Sequence, residues 1–243
     1  MINTQILGTG LLALLGAYFL CSVPTALIIS RIVAGVDIRE IGDGNMGARN
    51  VTRTLGWKPG AVVEAIDFSK GALAVSLARA FHLSLGWQVV AGAFAVLGHD
   101  FPLWAGLRGG QGMAAILGAL GVLMPLETAV GLIGFATAYL LMRNFDPSAA
   151  VGLGLLALMA WQQEQPPLLL GSTILLFLSI PAKKAMDWPR RRQLHKMSSS
   201  SPAAEESNQV LPRNSSLKRR GIGRQTYLDV KPLSALYSAL SGV

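Results

Sequence analysis

Two glycine-rich polar loops carry the residues whose types and spacing could do chemistry. The first contains Gly42, Asp43, Gly44, Asn45, Gly47, Asn50 and Arg53, with three glycines within six positions. Glycines at this density let backbone N–H groups point into one concave space, which binds anions. Arg53 adds a forked donor for a phosphate or an oxyanion, and Asn45 and Asn50 add neutral donors. A glycine-rich turn with solvated charges explains the spacing equally well, so both interpretations stay open.

The second loop precedes an apolar segment and contains His99, Arg108, Gly109, Gly110, Gln111 and Gly112. A glycine run at the start of a helix directs free N–H groups and the positive end of the helix dipole toward one point, which favours phosphate. His99 lies at the edge of a predicted membrane span and could carry a proton near neutral pH. A structural hydrogen bond is the simpler alternative for this residue.

A third group, Glu64, Asp67 and Lys70, has the spacing i, i+3, i+6, which places all three near one face of a helix. An internal ion pair explains this pattern at least as well as catalysis does. The sequence contains no HExxH, CxxC, Walker or GxSxG string, which argues against metalloprotease, redox, nucleotide-driven and serine-hydrolase chemistry. The pattern implies neither a metal nor a cofactor.

The elements that must position these loops are transmembrane helices. Of the 243 residues, 51% are hydrophobic and 14% are charged, which is far from the composition of a soluble domain. Residues 6–29 form an apolar run long enough to cross about 30 Å of hydrocarbon. Further apolar stretches follow at 71–86, 87–105, 113–125, 127–142, 149–162 and 168–181. We therefore predict an all-α, polytopic membrane protein with about seven transmembrane helices.

Basic residues mark alternate connections between these spans. They occur in segments 31–59, 106–112 and 143–148 and at Lys183 and Lys184, and are absent near Gly86, near Pro125 and in segment 162–166. The positive-inside rule then places the N-terminus outside and the C-terminus in the cytoplasm. We predict a membrane-integral domain over residues 1–181. The net charge of +8 arises in residues 182–243, predicted to be a basic, largely disordered cytoplasmic tail that attracts lipid headgroups and binds no nucleic acid.

Three strings together resemble a known family. Residues 42–53, 66–71 and 98–112 follow the patterns G-x-G-N-x-G-A-x-N-V-x-R, I-D-x-x-K-G, and G-H-x-F-P with G-G-x-G. In this order they resemble the membrane-integral bacterial acyl-phosphate:glycerol-3-phosphate acyltransferases, and residues 22–25 are similar to the family's first helix. The resemblance covers roughly residues 15–120.

The resemblance implies an activity, substrates and a set of site residues. An acyl group would pass from acyl phosphate to the primary hydroxyl of glycerol 3-phosphate, giving lysophosphatidate and phosphate for phospholipid synthesis at the bacterial plasma membrane. The implied catalytic residues are Asp43, Asn45, Arg53 and His99. The implied substrate-binding residues are Gly42, Gly44, Gly47, Asn50, Arg108, Gly109, Gly110, Gln111 and Gly112.

The sequence departs from the family pattern at three loop positions. The family normally has Ser at Asp43, Thr at Arg49 and Lys at Gln111, so two of the changes make the loops less positive. The family's third motif, a His and an Asn followed by a Glu, has no clear counterpart near His195. Two alternatives to an active enzyme therefore stay open. One is a catalytically degenerate paralogue that binds phosphorylated lipid precursors or a partner enzyme, and the other is a small membrane transporter.

Overall fold

The computed structural model describes residues 4–199, with side chains to Leu194, and this part of the chain is helical. The helices are α1 (Thr4–Ser22), α2 (Thr25–Ala34), α3 (Ala48–Leu55), α4 (Trp57–Ala80), α5 (Leu85–Asp100), α6 (Met113–Leu123), α7 (Pro125–Met142), α8 (Phe145–Gln162) and α9 (Pro167–Ser199), with a 3₁₀ turn at Leu103–Ala105. Residues 4–199 contain no β-strand, so the all-α prediction is confirmed for them.

Three segments of the described chain are long and apolar enough to cross a membrane by length and composition. They are Thr4–Ala34, Pro125–Met142 and Pro167–Leu194. The apolar helix α6 is shorter, with 11 residues, and α4 carries charged residues such as Glu64, Asp67 and Lys70 along its length. The number of seven spans stays a prediction.

The first apolar run is broken, whereas the sequence predicts one continuous helix. α1 ends at Ser22 and α2 begins at Thr25, because Pro24 has no N–H to donate and its ring clashes with a preceding helical turn. At the break, the Val23 carbonyl oxygen accepts a hydrogen bond from the Thr25 N–H at 3.0 Å and a second one from Lys70 Nζ of α4 at 2.7 Å. The kink in the first span thus creates a polar joint with α4.

A buried ion pair fills this joint. Lys70 Nζ lies 3.1 Å from Asp67 Oδ1 and also donates to Thr25 Oγ1. Thr25 Oγ1 in turn donates to Asp67 Oδ1 at 2.8 Å. The Lys70 and Asp67 side chains are 9% and 3% exposed, and a buried charge is tolerated only when it is paired and hydrogen-bonded. The i, i+3 spacing of these residues on α4 therefore serves an internal ion pair that fixes α4 against α2.

Glycines allow two pairs of helices to pack closely. A Cβ at Gly71 of α4 would lie 2.1 Å from a carbonyl oxygen of α6, and one at Gly118 of α6 would lie 2.0 Å from a carbonyl oxygen of α4. Gly131 of α7 and Gly152 of α8 approach each other in the same way, at 2.9 Å and 2.7 Å. Small residues at such contacts favour helix association in a bilayer. The result is an α4–α6 pair and an α7–α8 pair.

The last helix extends beyond the last predicted span. The sequence predicts disorder from residue 182, but residues 182–199 belong to α9, so the prediction of disorder is wrong for them. Pro181 and Pro189 lie within this helix. The rest of the predicted tail, residues 200–243, lies outside the described residues.

Replacing Lys70 by Met should strongly destabilise the protein, because Asp67 would remain buried without its cation. We expect the free energy of unfolding to fall by about 3–5 kcal/mol. Lys58 is exposed on the same helix, and Lys58→Met should change the free energy of unfolding by no more than about 0.5 kcal/mol. Thermal unfolding of the purified protein in detergent micelles measures both variants. Similar melting temperatures for the two would contradict the stabilising role of the ion pair.

Candidate functional site

A cleft of about 840 Å³ is lined by residues of both close-packed helix pairs. Seven of the residues predicted from the glycine-rich loops line it: Asp43, Asn45, Gly47, Arg53, His99, Gln111 and Gly112. The two loops therefore contribute to one site, although their nearest members are more than 40 positions apart in the sequence. Arg39 Nη1 of the first loop also donates to the Ala105 carbonyl at 3.1 Å, which joins the loops directly.

The other six predicted site residues are not among those that line the cleft. They are Gly42, Gly44, Asn50, Arg108, Gly109 and Gly110. Arg108 is exposed, so the structure does not place its charge among the converging loop residues. The remaining five have identifiable roles in shaping the loops.

Asn50 holds the first loop together from inside the protein. Its Oδ1 accepts a hydrogen bond from the Asp43 backbone N–H at 3.1 Å. Its Nδ2 lies 3.1 Å from the Ile38 and Ile41 carbonyl oxygens and 3.0 Å from that of Asn45. The side chain is fully buried and bonded to the loop through both polar atoms. Asn50 therefore positions the backbone of the first loop, and the substrate contact implied for it stays a prediction.

Gly42 and Gly44 provide the turns of the first loop. Their φ angles are +62° and +69°, in the left-handed region that favours glycine. A Cβ at Gly42 would also lie 2.2 Å from Asn50 Oδ1. These turns bring Asn45 to the cleft while Asn50 stays behind the loop.

The second loop folds back onto the end of α5. The Gly110 N–H donates to the His99 carbonyl at 3.2 Å. A Cβ would lie 2.1 Å from the His99 carbonyl oxygen if placed at Gly109, and 2.1 Å from His99 Nε2 if placed at Gly110. These glycines thus allow the loop to lie directly against the histidine. Gly112, with φ +67°, immediately precedes α6.

His99 connects the cleft to the buried ion pair. Its Nδ1 lies 3.8 Å from Asp67 Oδ2, a distance for electrostatic attraction rather than a hydrogen bond. The other oxygen of Asp67 is paired with Lys70, and Nε2 of the histidine is adjacent to Gly110. One ring nitrogen therefore faces a carboxylate while the other faces the loop, a geometry suited to proton transfer.

Helix α9 brings basic residues to the site that the sequence pattern did not indicate. Arg191 Nη2 lies 3.7 Å from Asp43 Oδ2, and Arg190 Nη2 donates to the Gly44 carbonyl at 3.0 Å. Lys184 also lines the cleft. The available signal was the run of three arginines at 190–192, which lies in the segment predicted to be a disordered tail.

Arg49 pairs across the polar end of the cleft rather than with the glycine loops. Its Nη1 lies 3.0 Å from Asp146 Oδ1, and its guanidinium lies 4.2 Å from the centroid of the Phe145 ring. Lys184 Nζ lies 4.0 Å from the second oxygen of Asp146. These contacts connect α3, α8 and α9. The Asp146 side chain is 62% exposed, so the ion pair contributes only modestly to stability.

The cleft continues from this polar end into an apolar part. Its walls include Leu117, Leu132, Phe135, Leu153, Leu156 and Phe177. Leu132 of α7 is 38% exposed, whereas Leu156 of α8 is 1% exposed. The apolar part therefore has one side open along α7 and one side closed by α8. A single cleft presents basic groups at one end and hydrocarbon along the rest.

Asp37 and Arg39 form a two-pronged ion pair in the first loop. Arg39 Nη2 lies 2.6 Å from Asp37 Oδ2, and Arg39 Nε lies 2.9 Å from Asp37 Oδ1. The hydrogen bonds from Arg39 lower the pKa of the Asp37 carboxyl to about 2. Since Arg39 also binds the Ala105 carbonyl, Asp37 holds Arg39 in the position from which it contacts the second loop.

The chain is similar in sequence to glycerol-3-phosphate acyltransferases. Residues 11–190 match the family model described as glycerol-3-phosphate acyltransferase. The chain is 33% identical over 186 residues to glycerol-3-phosphate acyltransferase 2 of Dehalococcoides mccartyi, with 76% of this chain and 86% of that protein covered. It is 38% identical over 160 residues to the glycerol-3-phosphate acyltransferase of Anaeromyxobacter dehalogenans, with 64% and 78% covered.

The fold is similar to a solved membrane enzyme. The crystal structure of PlsY, an integral membrane glycerol 3-phosphate acyltransferase, in its glycerol 3-phosphate form matches with a TM-score of 0.68 and 28% sequence identity, covering 74% of this chain and 90% of that chain. The lysophosphatidic acid form of PlsY matches with a TM-score of 0.65 and 27% identity over the same shares.

The Asp37–Arg39 pair predicts a loss of stability in acid. A carboxyl with a pKa of about 2 in the folded protein and about 3.9 in the unfolded chain stabilises the fold above about pH 4. This contribution is lost as the pH falls toward about 2. We expect Asp37→Asn to flatten the decline of melting temperature over this range, and the exposed neighbour substitution Glu40→Gln to leave the wild-type decline in place. Identical pH profiles for wild type and Asp37→Asn would exclude this contribution.

Proposed function

The chain belongs to the glycerol-3-phosphate acyltransferase family, and from this membership we infer that it transfers an acyl group to glycerol 3-phosphate in phospholipid synthesis. Acyl phosphate is the donor that fits the family, and lysophosphatidate and inorganic phosphate are then the products. The observation that carries this function is that Asn45 and Arg53 of the first loop and His99 of the second line the same cleft as an apolar channel. This combination suits one phosphorylated polar substrate and one substrate with a hydrocarbon chain.

The reaction requires little covalent help from the protein. Acyl phosphate is an activated mixed anhydride, so the hydroxyl oxygen of glycerol 3-phosphate attacks the acyl carbonyl carbon and the bond from that carbon to the phosphate oxygen breaks. Phosphate leaves with the bonding electrons, and the hydroxyl proton passes to a base. Holding two phosphates near each other and aligning the hydroxyl with the carbonyl supplies most of the catalysis.

We assign different roles to the residues at the polar end. Arg53 is a phosphate-binding cation, and Asn45 offers an amide whose Oδ1 has no hydrogen-bond partner among the described residues. His99 accepts the hydroxyl proton, since Asp67 faces its opposite nitrogen and stabilises the charged ring. Asp43 positions the first loop, because its Oδ1 accepts a hydrogen bond from the Asn45 N–H at 3.0 Å.

The acyl chain of the donor lies in the apolar part of the cleft. Phe135 and Leu153 line this part from α7 and α8, and Leu132 lines it where α7 is exposed. An acyl chain placed there buries its apolar surface away from water and keeps the acyl carbonyl near the loops. Entry from the bilayer along the exposed side requires no passage through water.

We propose the finer membrane arrangement from the distribution of charge. The chain crosses a bacterial plasma membrane seven times, with the N-terminus outside and the loops of the site in the cytoplasm. Residues 1–181 form the membrane-integral domain, and the basic residues beyond them adjoin anionic lipid headgroups. The ion pair between Arg49 and Asp146 supports a common face for the predicted cytoplasmic segments 31–59 and 143–148. The bond from Arg39 to Ala105, which immediately precedes segment 106–112, supports the same face for that segment.

The activity is tested with purified protein, acyl phosphate and isotopically labelled glycerol 3-phosphate. We expect lysophosphatidate and phosphate in equal amounts. Gly110→Ala should lower kcat/KM at least about tenfold, about 1.4 kcal/mol in transition-state stabilisation, because the new Cβ would lie 2.1 Å from His99 Nε2. Gly154→Ala in α8 has no neighbour within 4 Å of its new Cβ and should keep wild-type activity.

Two outcomes of this assay would contradict separate parts of the proposal. Glycerol 3-phosphate binding without product would indicate the catalytically degenerate paralogue. A folded and fully active Gly110→Ala variant would show that His99 does not take part in the reaction. Melting temperatures of both alanine variants establish that they are folded.

The membrane arrangement is tested by labelling single cysteines in cells. Cys21, the only cysteine, is replaced by Ala, and a cysteine is introduced at one exposed position: Lys58→Cys, Arg108→Cys or Gln163→Cys. A membrane-impermeant maleimide should label the Gln163→Cys variant in intact cells, and the other two only after permeabilisation. Labelling of Lys58→Cys and Arg108→Cys from opposite sides would overturn the arrangement.

A further inference from the structure

The turn of α9 from Arg190 to Leu194 is docked on the first glycine-rich loop. Arg190 Nη2 donates to the Gly44 carbonyl at 3.0 Å, and a Cβ at Gly44 would lie 2.4 Å from Leu194 Cδ1. Arg190 and Leu194 are four positions apart and therefore share one face of the helix. With this face fixed on the loop, the neighbouring Arg191 lines the cleft, whereas Arg192 is exposed.

Arg191 keeps unused donors in a nearly buried position. Its side chain is 13% exposed. Within the part of the chain that the structure describes, its Nε and Nη2 atoms have no hydrogen-bond partner, and neither does Nε2 of Gln111, which lines the same cleft. A buried donor without an acceptor is unfavourable. Two such side chains in one cleft indicate a ligand that brings acceptor oxygens.

The charges around Arg191 favour an anionic ligand. Asp43 Oδ2 lies 3.7 Å from Arg191 Nη2 and 4.0 Å from Arg53 Nη1, so two guanidinium groups face one carboxylate. One positive charge remains uncompensated in this group. Gln111, on the second loop, is neutral and contributes only its amide donor. Arg191 therefore brings to the cleft a positive charge from α9 that the second loop does not provide.

We propose that Arg191 binds a phosphate group of a substrate, together with the Gln111 amide, and that this position on α9 supplies the cation of that phosphate subsite. The forked geometry of a guanidinium suits two phosphate oxygens, and its Nε and Nη2 atoms are the unpartnered ones. The proposal rests on the acyltransferase function, because the phosphate belongs either to glycerol 3-phosphate or to the acyl phosphate. Arg190, which binds the Gly44 carbonyl, is a positioning residue.

The test compares Arg191→Gln with its matched control Arg192→Gln. In the acyltransferase assay, Arg191→Gln should raise the KM for one phosphorylated substrate at least tenfold, with a smaller change in kcat. It should also raise the inhibition constant of inorganic phosphate by a similar factor. Arg192→Gln should leave both constants at wild-type values. The substrate whose KM rises identifies which phosphate Arg191 holds.

A rescue variant separates phosphate binding from helix docking. Gln111→Lys places a cation on the other side of the same cleft, so Arg191→Gln combined with Gln111→Lys should recover most of the lost affinity for inorganic phosphate. A purely structural role for Arg191 would not be repaired by a charge on the second loop. Wild-type phosphate affinity in Arg191→Gln, or a loss that Gln111→Lys does not repair, would overturn the proposal.

The same variants distinguish failure of this inference from failure of the proposed function. Absence of acyl transfer by the wild-type protein would overturn the function. Titration calorimetry with inorganic phosphate would then still test the site directly, with weaker binding expected for Arg191→Gln than for Arg192→Gln. Equal binding by these two variants would overturn the assignment of Arg191 whether or not the protein is an enzyme.

Discussion

The buried pair of Asp67 and Lys70 constrains the rest of the structure. In a hydrocarbon environment no water is available to solvate either charge, so each must be satisfied by protein groups. Lys70 obtains its acceptors from the Val23 carbonyl at the break in the first span and from Thr25 at the start of α2. The second oxygen of Asp67 faces His99 of the cleft. One carboxylate thus takes part in both the packing of the helices and the orientation of the histidine.

The sequence predicts the fold only where a structural feature depends on residues that are close together in the chain. Apolar segments and alternating basic connections indicate most of the helices and loops. However, α4 begins at Trp57, well before the predicted stretch 71–86, and α3 lies within the predicted connection 31–59. The break at Pro24 was not predicted, because the length of the apolar run favours one helix and the compensating partner, Lys70, is distant in sequence. The extension of α9 was missed for a similar reason. A run of arginines reads as a solvated tail unless the acceptors on the first loop, Asp43 and the Gly44 carbonyl, are known.

In the candidate site, too, the sequence indicates which residue types are present but not where their side chains point. Asn45 and Asn50 are the same residue type in the same glycine-rich loop, yet one lines the cleft and the other is fully buried behind it. A loop has no helical or strand period, so spacing cannot reveal which side chain points inward. The structure also shows the surroundings of Asp43, the position at which the family normally has Ser. Arg191 and Arg53 face its carboxylate, so the added negative charge has cationic neighbours that the loop sequence alone does not show.

The exposed side of the apolar cleft determines how the reaction should be measured. Leu132 and Tyr139 line the cleft from α7 and are 38% and 41% exposed. Under the proposed function, the hydrocarbon chain of the donor reaches the cleft there by lateral diffusion within the lipid. The concentration that governs occupancy is then the mole fraction of acyl phosphate in the surrounding lipid or detergent, not its amount per volume of buffer. Adding detergent at constant substrate therefore slows the reaction by surface dilution. The polar substrate reaches the other end of the cleft from solution, and its ordinary volume concentration determines its binding. Each turnover therefore uses one substrate that diffuses within the membrane and one that diffuses in solution.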